Sequence, residues 1–177
     1  MTLILYRIMN RPQTNEFDPY YNTYVSLIGD DALAVLDAQP GELRAVFSSV
    51  PEEKGAFAYA DGKWTVKEVL SHLIDGERMF AYRILRISRG DVTPIEGFEQ
   101  EGYIENSNAN NRSFGELLEE FDLQRRSNML MLNNLSDEGT TRMGTASEKA
   151  VSVRALAYIM AGHIRHHVNI LQERYLA

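Results

Sequence analysis

Seam positions return at helical spacing in four separate stretches of this chain, at alternating steps of three and four in the first and the last, the spacing of helices that bury one face. Leu33, Leu36, Pro40, Leu43, Phe47 and Val50 form the first seam. Proline inside a helix removes a hydrogen bond and crowds the preceding turn, yet the register passes Pro40 without a phase break, so the spacing predicts one kinked helix rather than two. The second seam is Val69, His72, Gly76, Phe80, Arg83 and Ile87, widened by Leu73 and Ile84. Thr65 and Glu68 open it as a capping box, and Gly90 ends it. The third runs through Leu117, Phe121, Met131 and Leu135 behind a second capping box, Ser113 with Glu116. Its middle, Gln124 to Asn128, interrupts the apolar register and reads as a solvated stretch, the alternative being that Arg125 or Asn128 faces a metal-holding cavity in the bundle. The fourth seam is Leu156, Met160, His163, His167 and Ile170, with Ser152 as its cap.

What lies between the seams is polar. No run of period two is long enough to argue for a sheet. A Tyr-rich segment from Asp18 to Ile28 reads as a short helix, residues 1 to 16 show no period, and residues 136 to 150 form a polar loop. Residues 91 to 112 are too long a connection for a tight turn between antiparallel neighbours and read as a crossover. The expected fold is all-α, a four-helix bundle forming a single domain over residues 1–177, with its core at about 32–175.

The chain holds four histidines, and three of them sit where an apolar seam calls for Leu or Ile. His163 and His167 are one turn apart on the same face of the fourth helix, and His72 occupies the equivalent face of the second. Imidazoles buried without partners are costly, and ligation of a metal through neutral nitrogens is one of the few arrangements that satisfies them. The competing reading is a structural one, in which hydrogen bonds alone satisfy the rings. His166 falls about 60° off His163 and reads as a flanking residue.

Composition narrows the classes. A net charge of −7 disfavours nucleic acid, whose nonspecific affinity comes from Lys and Arg neutralising phosphates. There is no cysteine, so disulfides and thiolate metal sites are excluded and His, Asp and Glu remain as ligands. Met1 to Arg7 lacks a basic leader and a cleavage site, and no stretch approaches a membrane span, so the expected location is the cytoplasm and no membrane is an expected partner.

Three imidazoles leave one position of a tetrahedral ion open, which suits catalysis better than structure. Two other metal architectures do not fit. A zincin requires His-Glu-x-x-His, but Ile164 follows His163. A di-iron carboxylate bundle requires inward Glu residues that the third and fourth seams lack. His166, Asp75 and Glu77 are the candidates for general acid and base, each with a bland alternative as a solvated or supporting residue. Arg83 could bind a substrate carboxylate, or be ion-paired. Trp64, Arg125 and Asn128 complete the candidate substrate contacts, Trp64 having the bundle-end core as its bland reading.

The segment Lys63-Trp64-Thr65-Val66-Lys67-Glu68-Val69-Leu70-Ser71-His72-Leu73, then Glu77-Arg78 and Arg83, with Val153-Arg154-Ala155-Leu156 and Ala161-Gly162-His163-Ile164-Arg165-His166-His167, resembles the DinB-like family of metalloenzymes in the DinB/YfiT superfamily. The resemblance spans about Ala32 to Tyr175. It implies an up-down-down-up bundle, often a homodimer, with a divalent metal, zinc or nickel, on His72, His163 and His167. It also implies a small-molecule substrate, since relatives include thiol S-transferases that use bacillithiol, a mycothiol-dependent maleylpyruvate isomerase and metal-dependent hydrolases. The rival expectations are a noncatalytic metal-containing binding module and a plain structural bundle. A ring of residue 72 more than about 8 Å from those of 163 and 167, far beyond two metal–nitrogen bonds, would exclude a shared ion.

Overall fold

The computed structural model of the chain describes residues 8–176; the reading of Met1 to Arg7 therefore falls outside the described part. Four long helices make the body: Ala32–Ser48, Val66–Ser88, Phe114–Asn133 and Val153–Ile170. Each starts where a side-chain oxygen takes up orphaned N–H groups. Asp31 and Ser152 cap the first and fourth, while Thr65–Glu68 and Ser113–Glu116 form capping boxes on the second and third. The second helix stops before Gly90, whose φ of +84° is the left-handed turn that glycine adopts without strain. The first helix runs unbroken through Pro40.

Hydrogen bonds between helix ends give the directions. The start of the third helix lies beside the start of the second, because Thr65 Oγ1 donates to Asn110 Oδ1 (2.8 Å) and Asn110 Nδ2 to Glu68 Oε1 (2.9 Å). Glu52, just past the end of the first helix, accepts from Phe114 N and pairs with Lys67. The fourth helix begins where the second ends: Arg142 donates to Ser88 O (2.5 Å) and Val153 N to Arg142 O (3.1 Å). The order is up-down-down-up, with the first helix touching the third and fourth but standing diagonal to the second. Parallel second and third helices need the long crossover between them, as a parallel pair cannot be closed by a short turn.

Both polar connections hold more structure than their composition suggests. Residues 136–150, expected to be loop, contain a short helix, Asp137–Thr141, and most of a hairpin of β1 (Met143–Ala146) and β2 (Lys149–Ser152). Four-residue strands are too short for a period of two to show in sequence. The crossover adds Ile95 beside Ala146 as a parallel bridge, then a helix at Gln100–Glu105. The Tyr-rich segment folds as a 3-10 turn, Pro19–Tyr21, and one helical turn, Asn22–Val25. Residues 8–16 have roles that no periodicity reveals: Met9 is buried, and Glu16 accepts from Ser152 Oγ and pairs with Arg154.

The apolar core has two layers. One holds Leu33, Leu36, Ile84, Ile87, Leu156 and Met160; the other holds Leu43, Phe47, Leu73, Leu117, Phe121 and Ile164. Between them a polar tie crosses all four helices. Arg125 on the third helix donates to both oxygens of Glu77 on the second (2.8 and 2.7 Å) and to Leu36 O and Gln39 Oε1 on the first, and Gln39 Nε2 donates to Ala161 O on the fourth (2.7 Å). The tie corrects the expectation of a solvated interruption at Gln124 to Asn128, since Arg125 is 1% exposed and continues the seam from Phe121 toward Leu132. A cation can hold an apolar register position when every donor finds an acceptor.

Candidate metal centre

Three helical turns bring the site together. His72 is on the second turn of its helix; His163 and His167 project from the facing helix, which is the neighbour of the second. Ring centroids are 4.8 Å apart for His72 and His163, 4.8 Å for His72 and His167, and 4.6 Å for His163 and His167. These separations lie well inside the limit for sharing one ion. One ligand atom from each ring can be chosen so that all three lie within 4.8 Å of one another, and His72 Nε2 stands 2.9 Å from His163 Nε2. A tetrahedral ion with bonds of about 2.1 Å has nitrogen–nitrogen edges of roughly 3.4 Å, so the three rings need only small rotations to meet one.

The donor set fits a divalent cation on two further counts. His72 Nδ1 is buried with no hydrogen-bond partner among the described residues, which marks a ring not satisfied by the protein alone. Burial also holds all three imidazoles neutral, the form that ligates: His72 is lowered to about 4, His167 to about 3, and His163 well below the ordinary 6.5, with the neighbouring imidazoles adding to desolvation.

Stability of the metal-free chain follows in sign. A folded-state pKa below the unfolded value means that the unfolded chain binds protons first, so stability is intact above about 6.5 and falls as the pH drops toward 4 and 3. Thermal melts of metal-free wild type and His72→Leu check this. The wild type should lose more melting temperature between pH 7 and pH 4.5; equal losses would contradict it.

Aromatic rings wall the centre. Trp64 lies 4.7 Å from His72 and 6.5 Å from His167, held by its indole donating to Glu101 Oε2 (3.0 Å) and by Tyr175 Oη donating to Trp64 O (2.8 Å). Phe98, from the crossover, stacks on His72 at 6.4 Å, and Phe80 meets His163 edge-on at 5.5 Å. Tyr24 covers His163 and His166 at 5.7 and 5.4 Å. Small clefts open on either side of this wall. One, of about 180 Å³, reaches His72 and His163 and ends at Arg83; the other, of about 200 Å³, reaches His167 past Trp64, Lys63 and Tyr59.

Other expected site residues fall elsewhere. His166 is half-buried at the margin, 5.1 Å from His167. Asp75 lies in a different cleft with Ser71, Arg78 and Glu120, 3.6 Å from Arg78, its carboxyl raised by burial. Glu77 is 1% exposed with both oxygens held by Arg125 and one also by Asn128 (2.9 Å), so these three tie helices together instead of facing the histidines. Glu77 is expected as an acid or base and Arg125 and Asn128 as substrate contacts, whereas the structure pairs the three with one another. Their shared seam positions do not reveal which polar residues pair with one another.

Phe98, Tyr24 and Ser147 are contacts that sequence reasoning missed, for they come from segments without a period. Gly76 stands out in the sequence only as a seam position. A Cβ there would lie 2.9 Å from His163 Cε1 and 3.2 Å from its Nδ1, so the glycine gives the imidazole its space. Gly76→Ala, although it favours the helix, should displace that ring and lower metal affinity about tenfold or more with helicity unchanged. Equilibrium dialysis with zinc and circular dichroism check it, and wild-type affinity would contradict it.

An up-down-down-up bundle with three convergent histidines between its second and fourth helices defines a class of helical proteins built around one candidate metal centre. The chain matches the family model of the DinB superfamily over residues 35–171, and it belongs to that superfamily. Its fold is similar to that of YfiT from Bacillus subtilis, described as a probable metal-dependent hydrolase with an unusual four-helix bundle topology. The TM-score is 0.75 and the identity 16%, covering 97% of this chain and 95% of that one. No curated protein matches the chain. No helix among the described residues is long and apolar enough to cross a membrane.

Proposed function

We propose that this chain is a metal-dependent enzyme of hydrolase or thiol-transferase type, acting on a small molecule at His72, His163 and His167. The observation that carries the reading is the convergence of three neutral imidazoles from two helices, two buried and His167 partly buried, with ligand atoms within 4.8 Å, beside clefts of small-molecule size. A divalent cation held there, zinc or nickel, supplies Lewis acidity that lowers the pKa of a water or thiol on its open side. The description of YfiT as a probable metal-dependent hydrolase supports the same direction.

The chain's own residues do the rest. Trp64, Phe98 and Phe80 exclude bulk water from the three rings and strengthen electrostatic interactions inside the site. His166, half-buried and 5.1 Å from His167, is the remaining imidazole near the centre and is the proposed proton carrier at its margin. A low-molecular-weight thiol such as bacillithiol is the co-substrate of the transferase form. The test is turnover of an activated ester and of an electrophile, with and without bacillithiol, by zinc- or nickel-loaded protein. His163→Ala should lower the rate by about a hundredfold or more. A rate unchanged by that substitution overturns catalysis at this centre.

A further inference from the structure

Arg83 is a buried cation with no carboxylate partner among the described residues. It is 6% exposed, its Nη2 donates to Ser147 Oγ (2.9 Å) and weakly to Glu96 O (3.4 Å), and its Nε has no partner among the described residues. It lines the 180 Å³ cleft that His72 and His163 also line, and it is the one formally charged side chain among the described lining residues. In a chain of net charge −7, that cleft carries no Asp or Glu among those residues. A desolvated guanidinium with an idle N–H and no counter-ion is costly unless an anion completes it. The remaining walls are mostly aromatic, with Tyr20, Tyr21, Tyr24, Phe80 and Phe98 beside Met79 and the uncharged Gln100.

The partner that holds Arg83 is itself unusual. Ser147 and Glu148 form the two-residue turn between β1 and β2, and both take left-handed backbone, at φ of +52° and +64°. Such turns favour Asn-Gly; non-glycine residues in this region carry strain, on the order of 1 kcal/mol or more each. Ser147 N donates to Ile95 O (2.9 Å), so crossover and hairpin are locked together and the hydroxyl is aimed at the guanidinium. Strain held in place by its surroundings is characteristic of functional sites.

We propose that Arg83, positioned by Ser147, is an anion subsite for the carboxylate of a small organic acid with a flat apolar body, whose other end reaches His72 and His163. The proposal rests on the reading of the three histidines as the reacting end. The cleft is smaller than the roughly 300 Å³ of drug-sized sites, which limits the ligand to about the size of benzoate. Arg83 supplies charge-assisted hydrogen bonds to the carboxylate, and the aromatic walls take the ring.

Titration calorimetry with benzoate and with neutral benzyl alcohol tests this on the full chain at pH 7, metal-free and zinc-loaded. Benzoate should bind metal-free wild type about tenfold tighter than benzyl alcohol, the preference of a charged donor for a charged acceptor. Arg83→Gln should abolish that preference, and Ser147→Ala should weaken benzoate by about threefold with zinc content unchanged, the loss of one positioning hydrogen bond. Equal binding of the two ligands to wild type, or no benzoate binding at all, overturns the subsite and needs no variant to fold. Zinc content of the same samples is read separately. A chain that prefers benzoate but retains no zinc refutes the metal reading alone; one that retains zinc without preference refutes the subsite alone.

Discussion

Arg125→Met destabilises the bundle by about 3–5 kcal/mol, the loss expected when one partner of a buried ion pair is removed and the other charge is stranded. Glu77 is 1% exposed and relies on Arg125 for two hydrogen bonds, and Gln39 and Leu36 O lose a donor in the same change. For a chain of this length the shift in melting temperature is roughly 10 °C or more. Arg125→Lys should recover only part of it, because an ammonium cannot make the paired contact to both oxygens. The double variant Glu77→Leu with Arg125→Met should recover most of it, since exchanging both charges for apolar groups of similar volume is near neutral. Chemical denaturation of the three variants and the wild type checks this. A double variant as unstable as the single one would show instead that the tie contributes net stability.

Gly162→Ala produces the second large effect, at the site's cover. A Cβ at Gly162 would stand 2.2 Å from Tyr24 O and 2.5 Å from Tyr24 C, both backbone atoms that no rotamer change can clear. The segment around Asn22–Val25 must therefore lift from the fourth helix. It carries Val25 and Ile28, each nearly fully buried, and Tyr24, which shields His163. Exposing two such side chains costs about 3–5 kcal/mol. Chelator should then strip metal from the centre about tenfold faster, and protease should cut within residues 18–30 first. Gly41→Ala is the control, because nothing lies within 4 Å of its added Cβ; it should be neutral or stabilise by up to about 1 kcal/mol. Wild-type stability and chelation rate in Gly162→Ala would contradict this view of the cover.

The parts legible in the sequence are those written in local periodicity. Capping boxes at Thr65 and Ser113, the C-terminal Gly90, the register through Pro40 and the three seam-facing histidines each rest on residues within a few turns of one another, where spacing alone specifies a face. The illegible parts depend on long-range partners. Arg125 in a polar run looks solvated, because its acceptors lie on the second and first helices, 48 and 86 residues away for Glu77 and Gln39. Phe98 and Ser147 reach the site from loops whose composition carries no period. The hairpin leaves no signal because strands of four residues are too short to alternate convincingly, and the function of Gly76 lies in the side chain that it leaves room for.

The proposed function depends on His72, His163 and His167 holding one cation together. X-ray absorption at the metal edge, on full-length protein loaded with zinc or nickel and freed of excess, tests it directly. The prediction is about one ion per chain with three imidazole nitrogens at roughly 2.0–2.1 Å, falling to two nitrogens or to loss of the ion in His72→Ala. Less than about a tenth of an equivalent retained, or a shell of oxygens indifferent to that substitution, would contradict it.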